Sequence, residues 1–74
     1  MRPLTNWYDV VPGDTVMRRE GHDDWYYVIT DISTIPFMKG RQIELQILWS
    51  SYPSTLGEMT YYYDNEGHDK WYIP

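Results

Sequence analysis

The sequence predicts an all-β chain that folds as a small five-stranded antiparallel barrel. Three observations lead there. Apolar residues alternate with period two in several short segments, and turn residues separate those segments at short intervals. No stretch of useful length carries the i, i+3, i+4, i+7 spacing of a helix. At 74 residues the chain is one domain, residues 1–74. A chain so short buries only about 60% of its unfolded surface. Five short strands cannot hide two faces as an open sheet, so closure is the economical solution.

The elements are expected in the following order. Residues 1–11 hold Trp7, Tyr8, Val10 and Val11 and precede the first strand; they either pack across the barrel or reach a neighbouring subunit. The turn signal Pro12-Gly13-Asp14 leads into the first strand, TVMRR, at residues 15–19. WYYVITDI, residues 25–32, is rich in aromatic and β-branched side chains and forms the second, with Tyr26, Val28, Thr30 and Ile32 as its inward face. QIELQILW, residues 42–49, is the clearest strand. Ile43, Leu45, Ile47 and Trp49 face the core, and Gln42, Glu44 and Gln46 face water. The loop SSYPSTLGE, punctuated by Pro53 and Gly57, delivers the chain to MTYYY at Met59–Tyr63. KWYI, residues 70–73, is a short last strand whose Lys70 and following Pro74 blunt a sheet edge.

Net charge is −5, with eleven acids against six bases. That balance argues against nucleic acid and against an anionic membrane surface, both of which are bound mainly through Lys and Arg. With no cysteine, disulfides and thiolate metal sites are excluded. No apolar run approaches the ~20 residues of a membrane span. The opening MRPLTNWYDVV lacks the apolar core of a signal peptide, so an intracellular or particle-borne protein is expected.

Aromatic content carries the functional reading: four Trp, eight Tyr and one Phe are too many for so small an interior. Buried Tyr and Trp also need partners for their polar tips, so several rings belong on the surface, where aromatics in number mark a contact face. Tyr61, Tyr62 and Tyr63 are consecutive, as are Trp25, Tyr26 and Tyr27, so in each run a strand turns at least one ring outward. With Tyr52 on a loop, the expected partner-binding face is Trp25, Tyr26, Tyr52, Tyr61, Tyr62 and Tyr63, rimmed by Asp24 and Asp64. A proline-rich segment or a methylated cation suits such a groove.

Glu-Gly-His-Asp-x-Trp-Tyr occurs twice, from Glu20 and from Glu66. The similarity stops abruptly on both sides, so the repeat reads as one local way of entering a strand, used twice. The alternative is a metal site made by His22, Asp23 and Asp24 with His68, Asp69 and Glu66. Neither copy has two ligands at a spacing that chelates locally, so no metal and no cofactor are expected. The same His-Asp pairs could serve as acid and base, yet there is no nucleophile elbow and no phosphate loop, so no catalytic residue is expected.

Gly13-Asp14-x-Val16, then Val28-Ile29-Thr30-Asp31-Ile32, then Ile47-Leu48-Trp49 resemble the small SH3-like barrels of the KOW and Tudor kind. The order of these motifs over residues 12–73 is also similar to that of short proteins encoded by tailed bacteriophages. The resemblance implies a non-enzymatic protein–protein interaction module: a structural or accessory component of a virion, or an early protein that binds and inhibits a host protein. It implies a place in the virion or the host cytoplasm. The partner implied is a protein, either a copy of itself or another virion or host protein.

Overall fold

The structure is a computed structural model, and it describes residues 1–37, 40–64 and 70–74. Its elements are strands β1 (Arg2–Pro3), β2 (Thr15–Glu20), β3 (Asp23–Thr34), β4 (Arg41–Trp49), β5 (Met59–Tyr63) and β6 (Trp71–Ile73), with short 3-10 turns at Trp7–Asp9 and Pro53–Thr55. The fold is all-β. The strands make one sheet in the order β1-β6-β2-β3-β4-β5, antiparallel throughout. Six strands replace the expected five, because Arg2 and Pro3 pair with Ile73 and Tyr72 to add β1. The ladder does not close: among the described residues, β1 and β5 are its two edges. No helix among those residues is long and apolar enough to cross a membrane.

The open ladder is nonetheless strongly curled. Four strand spacings separate β5 from β6, which would be roughly 19 Å in a flat sheet. Yet the rings of Tyr62 on β5 and Trp71 on β6 lie 5.1 Å apart. Trp7 fills the space between them, 5.4 Å from Tyr62 and 5.1 Å edge-on from Trp71. Tyr27 meets Trp71 from β3 at 5.4 Å, so four aromatic rings form the centre of the core. Leu4, Val10, Val16, Ile29, Ile43, Leu45 and Ile47 surround them. Burial pushes the Tyr27 phenol up from its ordinary value, and the nearby Arg18 charge partly opposes this.

Of the two placements open for residues 1–11, packing across the sheet is the one seen. Leu4, Trp7 and Val10 are all buried. The Leu4 N–H donates to the Trp71 carbonyl (2.9 Å), and the Asn6 side chain caps the 3-10 turn by accepting from the Tyr8 N–H (2.9 Å).

Two bulges correct the expected strand faces. Between Ile29 and Asp31, β3 advances two residues while β4 advances one, so Thr30 is the extra residue. Its hydroxyl donates to the Glu44 carboxylate (2.8 Å). Before that bulge the inward residues are Tyr27 and Ile29, with Trp25 packed beside them, and after it Ile32 turns in. Of the expected inward set, only Ile32 packs on the core; Tyr26 and Val28 lie on the outer face, and Thr30 is exposed. The second bulge lies in β4, where Tyr27 pairs with Ile47 but Tyr26 pairs with Trp49, leaving Leu48 as the extra residue. Ile43, Leu45 and Ile47 face the core as expected. Trp49 does not; it is 51% exposed on the outer face.

Candidate functional site

The repeated Trp-Tyr pair organises the sheet around β2. In the first copy Glu20 pairs with Asp23, so Gly21-His22 is a two-residue hairpin loop. Gly21 has φ +61°, a conformation that its lack of a side chain permits. The chain then enters β3, where Trp25 lies opposite Arg18 and Tyr26 opposite Met17. In the second copy Trp71 and Tyr72 enter β6 and take the same positions on the other side: Trp71 opposite Arg18 and Tyr72 opposite Met17. Each Trp is therefore on the inner face and each Tyr on the outer. Arg18 runs between the two indoles, with its guanidinium 5.6 Å from the Trp71 ring. Met17 sits between the two phenols and is 1% exposed, although it faces away from the main core. In the first copy the turn leads into a strand as expected, although Glu20 and Asp23 already belong to β2 and β3. The second copy's Glu66, Gly67, His68 and Asp69 lie outside the described residues.

Register extends this into an apolar row across the outer face: Pro3, Tyr72, Met17, Tyr26 and Trp49, one residue from each of five neighbouring strands. At its β4 end Tyr26 and Trp49 meet edge to face, with centroids 6.0 Å apart. They floor a groove of ≈ 360 Å³ completed by His22, Asp24 and Ser51. Asp24 is held by Arg19, whose Nε donates to Oδ1 at 2.9 Å, and Arg19 in turn lies 5.4 Å from the Tyr72 ring. The carboxylate raises the pKa of that guanidinium. The groove thus has an aromatic floor, one anchored carboxylate and an exposed His22.

The expected partner-binding residues do not form one patch. Tyr26 and Asp24 belong to the outer groove. Trp25 lies on the inner side, stacked 5.6 Å from Tyr52, whose hydroxyl donates to Asp23 (3.3 Å). Tyr62 points inward against Trp7 and Trp71. Tyr61 and Tyr63 lie on the outer face of β5, where Tyr61 pairs with Glu44 and Tyr63 with Gln42. Asp64 is committed elsewhere. Its carboxylate accepts from the Arg41 backbone N–H (2.6 Å) and Nε (2.9 Å), and only 8% of its side chain is exposed. Arg41 is also stacked on Tyr8, 3.7 Å from the ring centroid. This cluster begins β4 while Trp49 ends it, roughly 26 Å away along the strand, so Asp64 and Asp24 cannot rim the same groove.

Trp49, Met17 and Tyr72 were missed as outer-face residues. Met17 and Tyr72 carried a signal, each being a large side chain one position out of phase with a core neighbour, Val16 and Trp71.

For the metal alternative, His22 and Asp23 sit in and just after the β2–β3 turn, whereas His68 and Asp69 lie outside the described residues. Among the described residues no three His, Asp or Glu side chains are grouped so as to hold a metal ion. A second hollow of ≈ 300 Å³ opens on the inner side, between Arg18, Trp25, Tyr27, Ile47 and Thr60.

Fold and site together define a small all-β domain that presents aromatic rings from an acidic surface. No family model, curated protein or solved structure matches the chain.

Proposed function

We propose that this protein is a non-enzymatic protein–protein interaction module that binds a basic segment of its partner in the outer groove between Tyr26 and Trp49. Trp49 carries the reading. Alternation would have buried it beside Ile47, and the bulge at Leu48 turns it into water instead. Leaving half of such a ring exposed forgoes on the order of 1 kcal/mol. Bulges that re-aim a side chain are characteristic of binding sites, and Trp and Tyr dominate the energetics of interfaces. Asp24 beside the rings, on a chain of net charge −5, favours a cationic partner held over an aromatic face.

Two finer points belong with this proposal. The return of β6 to β2, with ring contacts between β5 and β6 across the core, supports reading the curled sheet as an SH3-like barrel closed by side chains rather than by a ladder. The motif order over residues 12–73 supports a tailed-phage setting, with the module an accessory component of a virion.

Parallel captures from the source lysate with the wild type, Tyr26→Ala and Trp49→Ala test the groove. The expected result is a partner that is retained by the wild type, reduced at least tenfold by either substitution, and released as salt is raised. Equal retention by all three overturns the proposal.

A further inference from the structure

We infer that the free edge of β5 is a self-association site, at which two copies of the chain pair antiparallel about Tyr61 and join their sheets into one. The two edges of the sheet differ in kind. β1 is two residues long and contains a proline, which cannot donate to another strand. β5 is Met-Thr-Tyr-Tyr-Tyr: five residues with no charge, no proline and no glycine. None of the devices that normally protect an edge is present in it.

The hydrogen-bond phase of β5 follows from its two ends. Beyond one end the Ile47 N–H donates to the Glu58 carbonyl (2.9 Å), and beyond the other the Asp64 N–H donates to the Arg41 carbonyl (3.1 Å). Residues of an antiparallel strand alternate between bonding one neighbour and bonding the other. Glu58, Thr60, Tyr62 and Asp64 are therefore in phase and bond β4. Met59, Tyr61 and Tyr63 direct their N–H and C=O groups to the open edge, where no other strand pairs with them among the described residues.

That edge is complementary to itself. A two-fold axis through Tyr61 sets it opposite its own copy and sets Met59 opposite Tyr63, with each pair exchanging both of its backbone hydrogen bonds. The side chains of these residues all lie on the outer face, since Thr60 and Tyr62 pair with the inward Leu45 and Ile43. Met59 and Tyr61 are 46% and 52% exposed. The pairing thus places a Tyr–Tyr contact at the centre and a sulfur–aromatic contact on either side. The five paired residues bring no like charges together; beyond the ends of the strand Glu58 comes opposite Asp64 of the copy, whose carboxylate is already paired with Arg41. The inference is independent of the Tyr26–Trp49 groove, which lies elsewhere on the outer face.

Sedimentation of the full chain from micromolar to near-millimolar concentration is the test, run beside Tyr61→Lys and Trp49→Ala. The expected result is a mass that doubles with concentration in the wild type and in Trp49→Ala, and stays monomeric in Tyr61→Lys, where two like charges would face each other. A wild type that stays monomeric throughout overturns the inference and leaves the edge to a foreign strand. So does a folded Tyr61→Lys that still dimerises. Amide exchange in the wild type tests the same point without a variant. The Met59, Tyr61 and Tyr63 amides should slow about tenfold or more between the dilute and concentrated samples, while those of Thr60 and Tyr62 stay protected at both. Protection of Tyr61 that does not change with concentration overturns the inference.

Discussion

Met17 shows how one side chain can be buried on the wrong side of a sheet. It lies opposite Tyr26 on one strand and Tyr72 on another, and two phenols flanking one thioether bury it away from the main core. Replacing a buried Met by Ala costs about 2–5 kcal/mol. The lower half of that range is expected for Met17→Ala, because the two tyrosines can settle toward each other. Urea unfolding would measure it, with an unchanged slope showing that the substitution acted on stability alone. At this scale the sequence was partly legible. The repeat and the Trp-Tyr order within it could be read directly. That both copies would flank the same strand could not, because the pairing of β6 with β2 joins residues far apart in the chain and no local pattern encodes it.

At the level of elements, strand positions were legible and strand faces were not. Residues 15–19, 42–49 and 59–63 were each placed within two residues of the observed ends, since period-two alternation and turn residues are local signals. Parity fails wherever a strand gains a residue. Thr30 and Leu48 each shift everything beyond them to the opposite face, and neither is marked by a glycine or proline. Hence Ile32 was placed correctly while Tyr26 and Trp49 were not. The bulge at Leu48 makes a direct prediction. Deleting that residue makes Ile47 and Trp49 consecutive, so simple alternation keeps Ile47 inward and the indole outward, opposite Tyr26 in an unbroken ladder. The deletion should leave the sheet intact, leave the indole emission at its exposed wavelength, and preserve partner capture by the groove. A blue shift would mean that the strand slips in register when the residue is lost, so that Leu48 is not the extra residue of the bulge.

For the molecule as a whole, the all-β class followed from the sequence, whereas the curl and its filling did not. Five strands closing on themselves through a ladder were expected, with residues 1–11 left open between packing across the barrel and reaching a neighbouring subunit. Instead Leu4, Trp7 and Val10 occupy the interior, and the opposed walls meet through the rings of Tyr62 and Trp71. The surplus of aromatic residues, read as surface, is therefore spent in large part on the core: Trp7, Tyr27, Tyr62 and Trp71 are all inside. A small domain gains much from rings of this size, because each buries about 150–250 Å².

The pairing of Arg2 with Ile73 has a consequence for how the chain can be cut. The two strands are adjacent and antiparallel, so residues 1 and 74 emerge side by side, and about three or four glycines would span the gap. A circular permutant with that linker, opened between the exposed Pro36 and Phe37, should fold to the same sheet. Near-ultraviolet circular dichroism, dominated here by the packed indoles, should be superimposable on that of the parent. Loss of that signal would show that the β3–β4 connection holds the strands in place and does more than join them. In the permutant β1 and β6 become one hairpin, and a contact that now spans almost the entire chain becomes a local one. Its folding should nonetheless be slower than the parent's, because the same cut sends β3 and β4, joined in the parent by a short connection and paired along most of their length, to opposite ends of the chain.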